Sequence, residues 1–207
     1  MNYTTLYLVF SITVIASCTH VSDAIKPLQR EVTGVCNYAS GLEDRRYYSE
    51  KETNVVVEGE SIEGLRRALS VVKPGGETAP DFAKTVWTVH WEFDWRAAST
   101  GCQITSAVAA TEINYQFPVW PQQITSVNES LINQWNGFTD NLRARHCGYG
   151  EFGIQAAIEV EQALKTMASR KTCQQLEVDA NDLARVIVER YETRESKFRQ
   201  QTPIETL

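Results

Sequence analysis

Two hydrophobic periodicities, kept apart along the chain, constrain its fold most. Trp87, Val89, Trp91, Phe93 and Trp95 alternate with Thr88, His90, Glu92 and Asp94. A period of two with large aromatics on one side predicts a half-buried strand. A turn over residues 97–101 and a second strand from Cys102, clearest at Ile113, Tyr115 and Phe117, predict an antiparallel hairpin that Pro118 and Pro121 stop. From Ser130 the period changes. Leu131, Trp135, Phe138, Leu142, Tyr149, Phe152, Ala156, Ala163 and Met167 recur at steps of three and four, with Arg145 on the same stripe. Thr172 and Gln175 form a capping-box pattern that opens a last helix with the face Leu176, Ala180, Leu183, Ile187 and Tyr191. The polar tail beyond Phe198 is expected to fray. Upstream, residues 45–48 and 55–57 read as short strands. Residues 61–73 read as a helix buried through Ile62, Leu65, Leu69 and Val72, which Pro74-Gly75-Gly76 ends. Strands first and helices last predict an α+β fold, a hairpin packed against a long helix and a C-terminal helix.

The N-terminus speaks to the compartment. Residues 6–17 form an apolar run shorter than the about 20 residues that span a bilayer. The run ends in small residues, as a secretory leader does. Its close, Ile15-Ala16-Ser17-Cys18, resembles a bacterial lipobox in which Cys18 is lipidated. Cleavage after Ser22-Asp23-Ala24 is the competing reading, and an uncleaved apolar tail is the plain one. The main readings export a domain over residues 53–200, preceded by a leader at 1–24 and an extension at 25–52, and followed by a tail at 201–207. Apart from Cys18, Cys36, Cys102, Cys147 and Cys173 remain, an even set that suits disulfides in an oxidising compartment. Three pairings are possible. The formal net charge of −6 argues against a nucleic-acid footprint.

Gly148-Tyr149-Gly150-Glu151-Phe152-Gly153 matches G-x-G-x-x-G. A dinucleotide site needs an apolar strand before it, and the residues preceding this run are a charged helical pattern, Asp140 to His146. Small residues where a helix passes close to another element are the better reading. His20, His90 and His146 show no metal-ligand spacing on one helix. His90 falls on the polar face of its strand, and His146 falls one residue off the apolar stripe. Cys147 beside His146 points about 100° away and makes a poor thiol–imidazole pair. The Trp87, Trp91 and Trp95 row reads as core before it reads as a carbohydrate platform.

The order of these segments resembles a family of bacterial secreted proteins of unknown function that are predicted to be zinc-dependent proteases. The likeness runs from about Val55 to Thr202. It is carried by Trp87-Thr88-Val89-His90-Trp91-Glu92-Phe93, Gly101-Cys102-Gln103-Ile104, the Pro118-Val119-Trp120 corner, the helix from Trp135 to Leu164, and Thr172-Cys173. The resemblance implies a zincin-like framework and, on the long helix, H-E-x-x-H. Two His one turn apart would bind zinc and the Glu would be the general base.

This chain departs from that motif. The two ligand positions are Arg145 and Tyr149, and the Glu position is His146. A later T-x-H-G run of the family reads Thr202-Pro203-Ile204-Glu205. The expectation is a degenerate, metal-free member without zinc or another cofactor, keeping a surface for a peptide or envelope protein. Membrane contact would come only through a lipid anchor at Cys18. The rivals are a peptidase with a relocated site built from His90, His146 and Glu151, and a structural envelope protein. The resemblance further implies Cys102 paired with Cys173, and with it Cys36 paired with Cys147, tying the N-terminal segment over the former active site. Arg145 on the inward stripe would need a carboxylate partner or access to water.

Overall fold

The computed structural model describes residues 28–30, 35–38, 42, 44–72, 82–121, 128–202 and 207. The expected leader, with Cys18 and His20, lies outside them. The chain runs β1 (Leu28–Arg30), a 3-10 turn (Arg45–Tyr47), β2 (Tyr48–Val56), α1 (Ile62–Val72), β3 (Lys84–Ala98), β4 (Gly101–Val119), α2 (Glu129–Lys165) and α3 (Cys173–Gln201). This is the expected α+β class. The strands form one sheet in the order β1-β2-β4-β3. β3 and β4 are the antiparallel hairpin, with Trp87 opposite Ile113. β2 joins β4 in parallel and β1 closes on β2 antiparallel.

Alternation works along β3 as far as the bulge between Asp94 and Trp95. Val89 is buried and Trp87, Trp91 and Phe93 are half-buried, whereas Trp95 is 45% exposed. The extra residue, Thr105, is on β4, and every β3 residue from Asp94 to Ala98 is exposed, so the last aromatic of the row lies past the covered part of the strand. Residues 45–47 are a 3-10 turn rather than a strand, because the Asp44 side chain accepts the Arg46 N–H and caps a turn. Strand structure begins at Tyr48. The tail does not fray at Phe198; α3 continues to Gln201 and Thr202 Oγ1 bonds back to the Phe198 carbonyl.

α2 is 37 residues long, or about 55 Å. Asn128 caps its start by accepting from the Leu131 N–H. Thr172 caps α3 by accepting from the Gln175 N–H, while the Gln175 side chain turns to Asp179 and leaves the box half closed. Both helices pack on one face of the sheet. One core joins Leu65, Leu69, Ile113, Tyr115, Phe117, Trp120, Trp135 and Phe138. A second, rich in alanine, joins Val89, Ala107, Ala109, Ala156, Ala157, Val160, Ala180, Ala184 and Ile187. Small side chains there let α2 and α3 approach the sheet closely.

The glycine run lies in mid-helix, where α2 presses on β4. A Cβ on Gly150 would lie 2.0 Å from the Tyr115 hydroxyl oxygen, and one on Gly153 2.9 Å from Thr111 Oγ1. The motif therefore serves close approach. Two disulfides bracket the domain. Cys102 is joined to Cys173, and Cys36 to Cys147.

Candidate functional site

The motif positions sit where α2 meets β3, β4 and α3. His146 is fully buried, at 0% exposure, so it belongs to the inward face rather than beside it. The sheet lies on the side of α2 that carries His146, Gly150 and Gly153, a stripe of steps four and three that the apolar count passed over. Thr85 Oγ1 of β3 is 2.8 Å from His146 Nδ1 and 3.3 Å from the His146 carbonyl oxygen. A hydroxyl can donate to the carbonyl while accepting from Nδ1–H, which satisfies both groups. The imidazole meets the edges of Phe117 and Tyr149, with centroids 6.0 and 4.9 Å away.

Tyr149 is 2% exposed and faces α3. Its ring packs on Phe198, centroids 5.9 Å apart, and the Arg199 guanidinium carbon lies 3.9 Å from its centre. Arg199 is itself held. Its Nε donates to Glu195 Oε1 at 2.7 Å and its Nη2 to the Thr85 carbonyl at 3.3 Å. Glu195 is completed by Trp87 Nε1, which donates to Oε2 at 2.7 Å. Thr85, Trp87, Glu195 and Arg199 thus lock α3 over the motif. Sequence reading places Trp87 in the core without this role and misses Thr85, Glu195 and Arg199. The available signal was Glu195, a charged residue one turn beyond Tyr191 on the apolar stripe of α3.

Arg145 is half-buried and takes part in an interaction, so it keeps both water and a partner. His90 is exposed on β3, on the face opposite Thr85 and His146. His90, His146 and Glu151 are not brought together, and among the described residues no three His, Cys, Asp or Glu side chains converge.

The Cys36–Cys147 bond attaches the N-terminal segment on the other flank of α2. On a helix Cys147 lies about 160° round from Tyr149. The segment contacts β2 and β4: Val35 N–H donates to Glu50 Oε2 at 3.2 Å, and the Tyr38 hydroxyl meets Glu50 Oε1 at 2.5 Å and the Tyr115 hydroxyl at 2.7 Å. Burial raises the Tyr38 and Tyr115 phenols well above their ordinary values, so both remain neutral donors. The described residues 35–38 therefore lie against β2 and β4, and it is α3 that covers Tyr149.

A groove of about 430 Å³ opens one turn before the motif, lined by Phe117, Trp120, Pro121, Trp135, Asp140 and Arg143 among others. Phe117 links it to the motif, since the same ring touches His146 and carries the Arg143 guanidinium 4.3 Å from its centre. Arg143 also binds Glu52 with two nitrogens, at 2.9 and 3.2 Å.

Among the described residues no helix is long and apolar enough to cross a membrane. No curated protein and no solved structure matches the chain. Residues 52–204 match a family model described as bacterial protein of unknown function, DUF922. That span is most of the 207 residues, and it holds the hairpin, α2 and α3 with Arg145, His146 and Tyr149: the chain belongs to the DUF922 family.

Proposed function

We propose that this chain is an exported, metal-free pseudoenzyme that keeps a zincin-like framework and uses its surface to bind a peptide or envelope protein. The observation that carries this reading is the Arg199 guanidinium over Tyr149. In H-E-x-x-H the two imidazoles one turn apart hold zinc. Here those positions are Arg145, whose guanidinium stays protonated, and Tyr149, whose ring already carries a cation. A divalent ion beside Tyr149 would meet the like charge of Arg199, which Glu195 already holds in place. His146, at the Glu position, is sealed from water and engaged by Thr85, so it cannot activate a water molecule. The residues present do not fit zinc. Losing the ligand set removes most of a metal's binding free energy.

The rival with a relocated site needs His90 and His146 to converge, and they lie on opposite faces of the sheet. The groove beside Phe117 offers the binding surface, with aromatic walls and the polar ends of Asp140 and Arg143. Export rests on the apolar run at residues 6–17, with Cys18 lipidated or the leader cleaved, and on two disulfides that suit an oxidising compartment such as the periplasm. Zinc content of protein purified without chelator, measured beside peptide hydrolysis, tests the reading. The expected outcome is no stoichiometric zinc and no chelator-sensitive hydrolysis. Stoichiometric zinc would overturn it.

A further inference from the structure

We propose that Cys36–Cys147 is a redox latch: it holds residues 35–38 as a strap on the β2 flank of α2, and reduction by a dithiol frees the strap while the rest of the domain stays folded. Val35, Cys36 and Tyr38 are buried, whereas Asn37 between them is exposed. The strap's polar anchors converge on one carboxylate, Glu50, and on the Tyr115 hydroxyl. Tyr38 also packs its ring against Tyr48, centroids 5.0 Å apart. Val35, Cys36 and Tyr38 join the main core beside Tyr47 and Tyr48, and that burial works against the backbone entropy of ordering so short a segment. The bond to a residue 111 positions away offsets that cost.

The body needs no such help. β4 is hydrogen-bonded on both sides, to β2 and β3. The other disulfide, Cys102–Cys173, is backed by two backbone bonds between Cys102 and Arg170, at 2.7 and 2.9 Å. Cys36 and Tyr38 lie before the stretch that matches the family, residues 52–204, whereas Cys147 lies within it.

The chemistry balances as thiol–disulfide exchange. A thiolate of the dithiol attacks the Cys36 sulfur, the S–S bond breaks, and Cys147 leaves as a thiolate that takes up a proton. The second thiol of the reductant then displaces Cys36 and closes the reductant's own disulfide. Two electrons and two protons pass to the protein. Strap release returns Glu50 and the Tyr115 hydroxyl to water beside Gly150, where α2 carries no side chain.

Hydrogen exchange on the full-length chain and its Cys36→Ser/Cys147→Ser variant tests this, with Cys102–Cys173 kept in both. The Val35 amide should exchange roughly a hundredfold faster in the variant, while amides of residues 111–117 change by less than about threefold. A Val35 amide that stays protected, or a variant that loses protection throughout β4 and α2, would overturn the proposal. In the wild type, dithiothreitol followed by iodoacetamide should alkylate Cys36 and Cys147 with residues 111–117 still protected. Labelling of the pair only upon global unfolding would equally sink it.

Discussion

Arg199 of α3 stands over Tyr149 of α2, with the guanidinium carbon 3.9 Å from the ring centre. The stacking, the Glu195 ion pair and the bond to the Thr85 carbonyl act together. Arg199→Ala should therefore destabilise the domain by about 2 kcal/mol in urea unfolding. Arg199→Lys should recover less than half of that, because an ammonium cannot stack and fork at once. A Lys variant as stable as wild type would mean that charge alone matters.

Much of this joint was legible from residues and some was not. Alternation from Trp87 to Phe93 placed the strand, and steps of three and four placed both helices. The inward stripe of α2 is buried as read at Leu131, Trp135, Phe138, Leu142, Tyr149 and Ala156, but it is broader than apolar residues alone mark. Leu142, Arg145 and Tyr149 look like the inward stripe, yet Gly150 and Gly153 mark the closest approach, and His146 shares their side. The absence of a side chain carries no hydrophobic signal, so a count of apolar residues overlooks it. Trp95 continues the alternation but lies where the end of β3 is exposed throughout, and a pattern of two does not say where the cover over a strand ends. The role of Arg199 depends on two helices and a strand meeting, which local sequence does not encode.

The glycines should separate by position. Gly150→Ala should cost about 2–3 kcal/mol, because its Cβ would fall 2.0 Å from the Tyr115 hydroxyl oxygen. Adding Tyr115→Phe should restore part of that loss. Gly137 has nothing within 4 Å of its Cβ position, so Gly137→Ala should stabilise by about 1 kcal/mol through helix propensity. Thermal melts of the three variants check the signs. Equal effects at Gly137 and Gly150 would refute the close approach.

Glu161 should make stability depend on acid. Burial opposes its charge, but Lys165, the Ala109 N–H and Arg46 outweigh that and hold the carboxyl below its ordinary 4.5. A depressed folded value means that the carboxylate adds stability above 4.5 and loses it as pH falls through the lower value. Glu161→Gln should cost about 2 kcal/mol at neutral pH. The gap to wild type should narrow in acid, read from urea midpoints across the range. A gap constant with pH would show that Glu161 acts only through packing.

The disulfide between Cys102 and Cys173 closes a span of 71 residues. Cys102→Ser/Cys173→Ser should lower stability by about 4 kcal/mol, with the domain still folded through the Cys102–Arg170 backbone pair. Non-reducing peptide mapping of the wild type should recover the Cys102 peptide joined to Cys173 and the Cys36 peptide joined to Cys147. Scrambled pairs would contradict the arrangement of α3 on the hairpin.

Calorimetric zinc titration of the wild type and of Arg145→His/His146→Glu/Tyr149→His tests the central claim most directly. The triple change rebuilds H-E-x-x-H with the spacing of four intact. The variant should gain weak binding, since the further His that the resemblance implies is Ile204 here and a ligand pair without its orienting partners binds weakly. The wild type should show no saturable heat. Wild-type protein that binds one zinc as tightly as the variant would contradict the account.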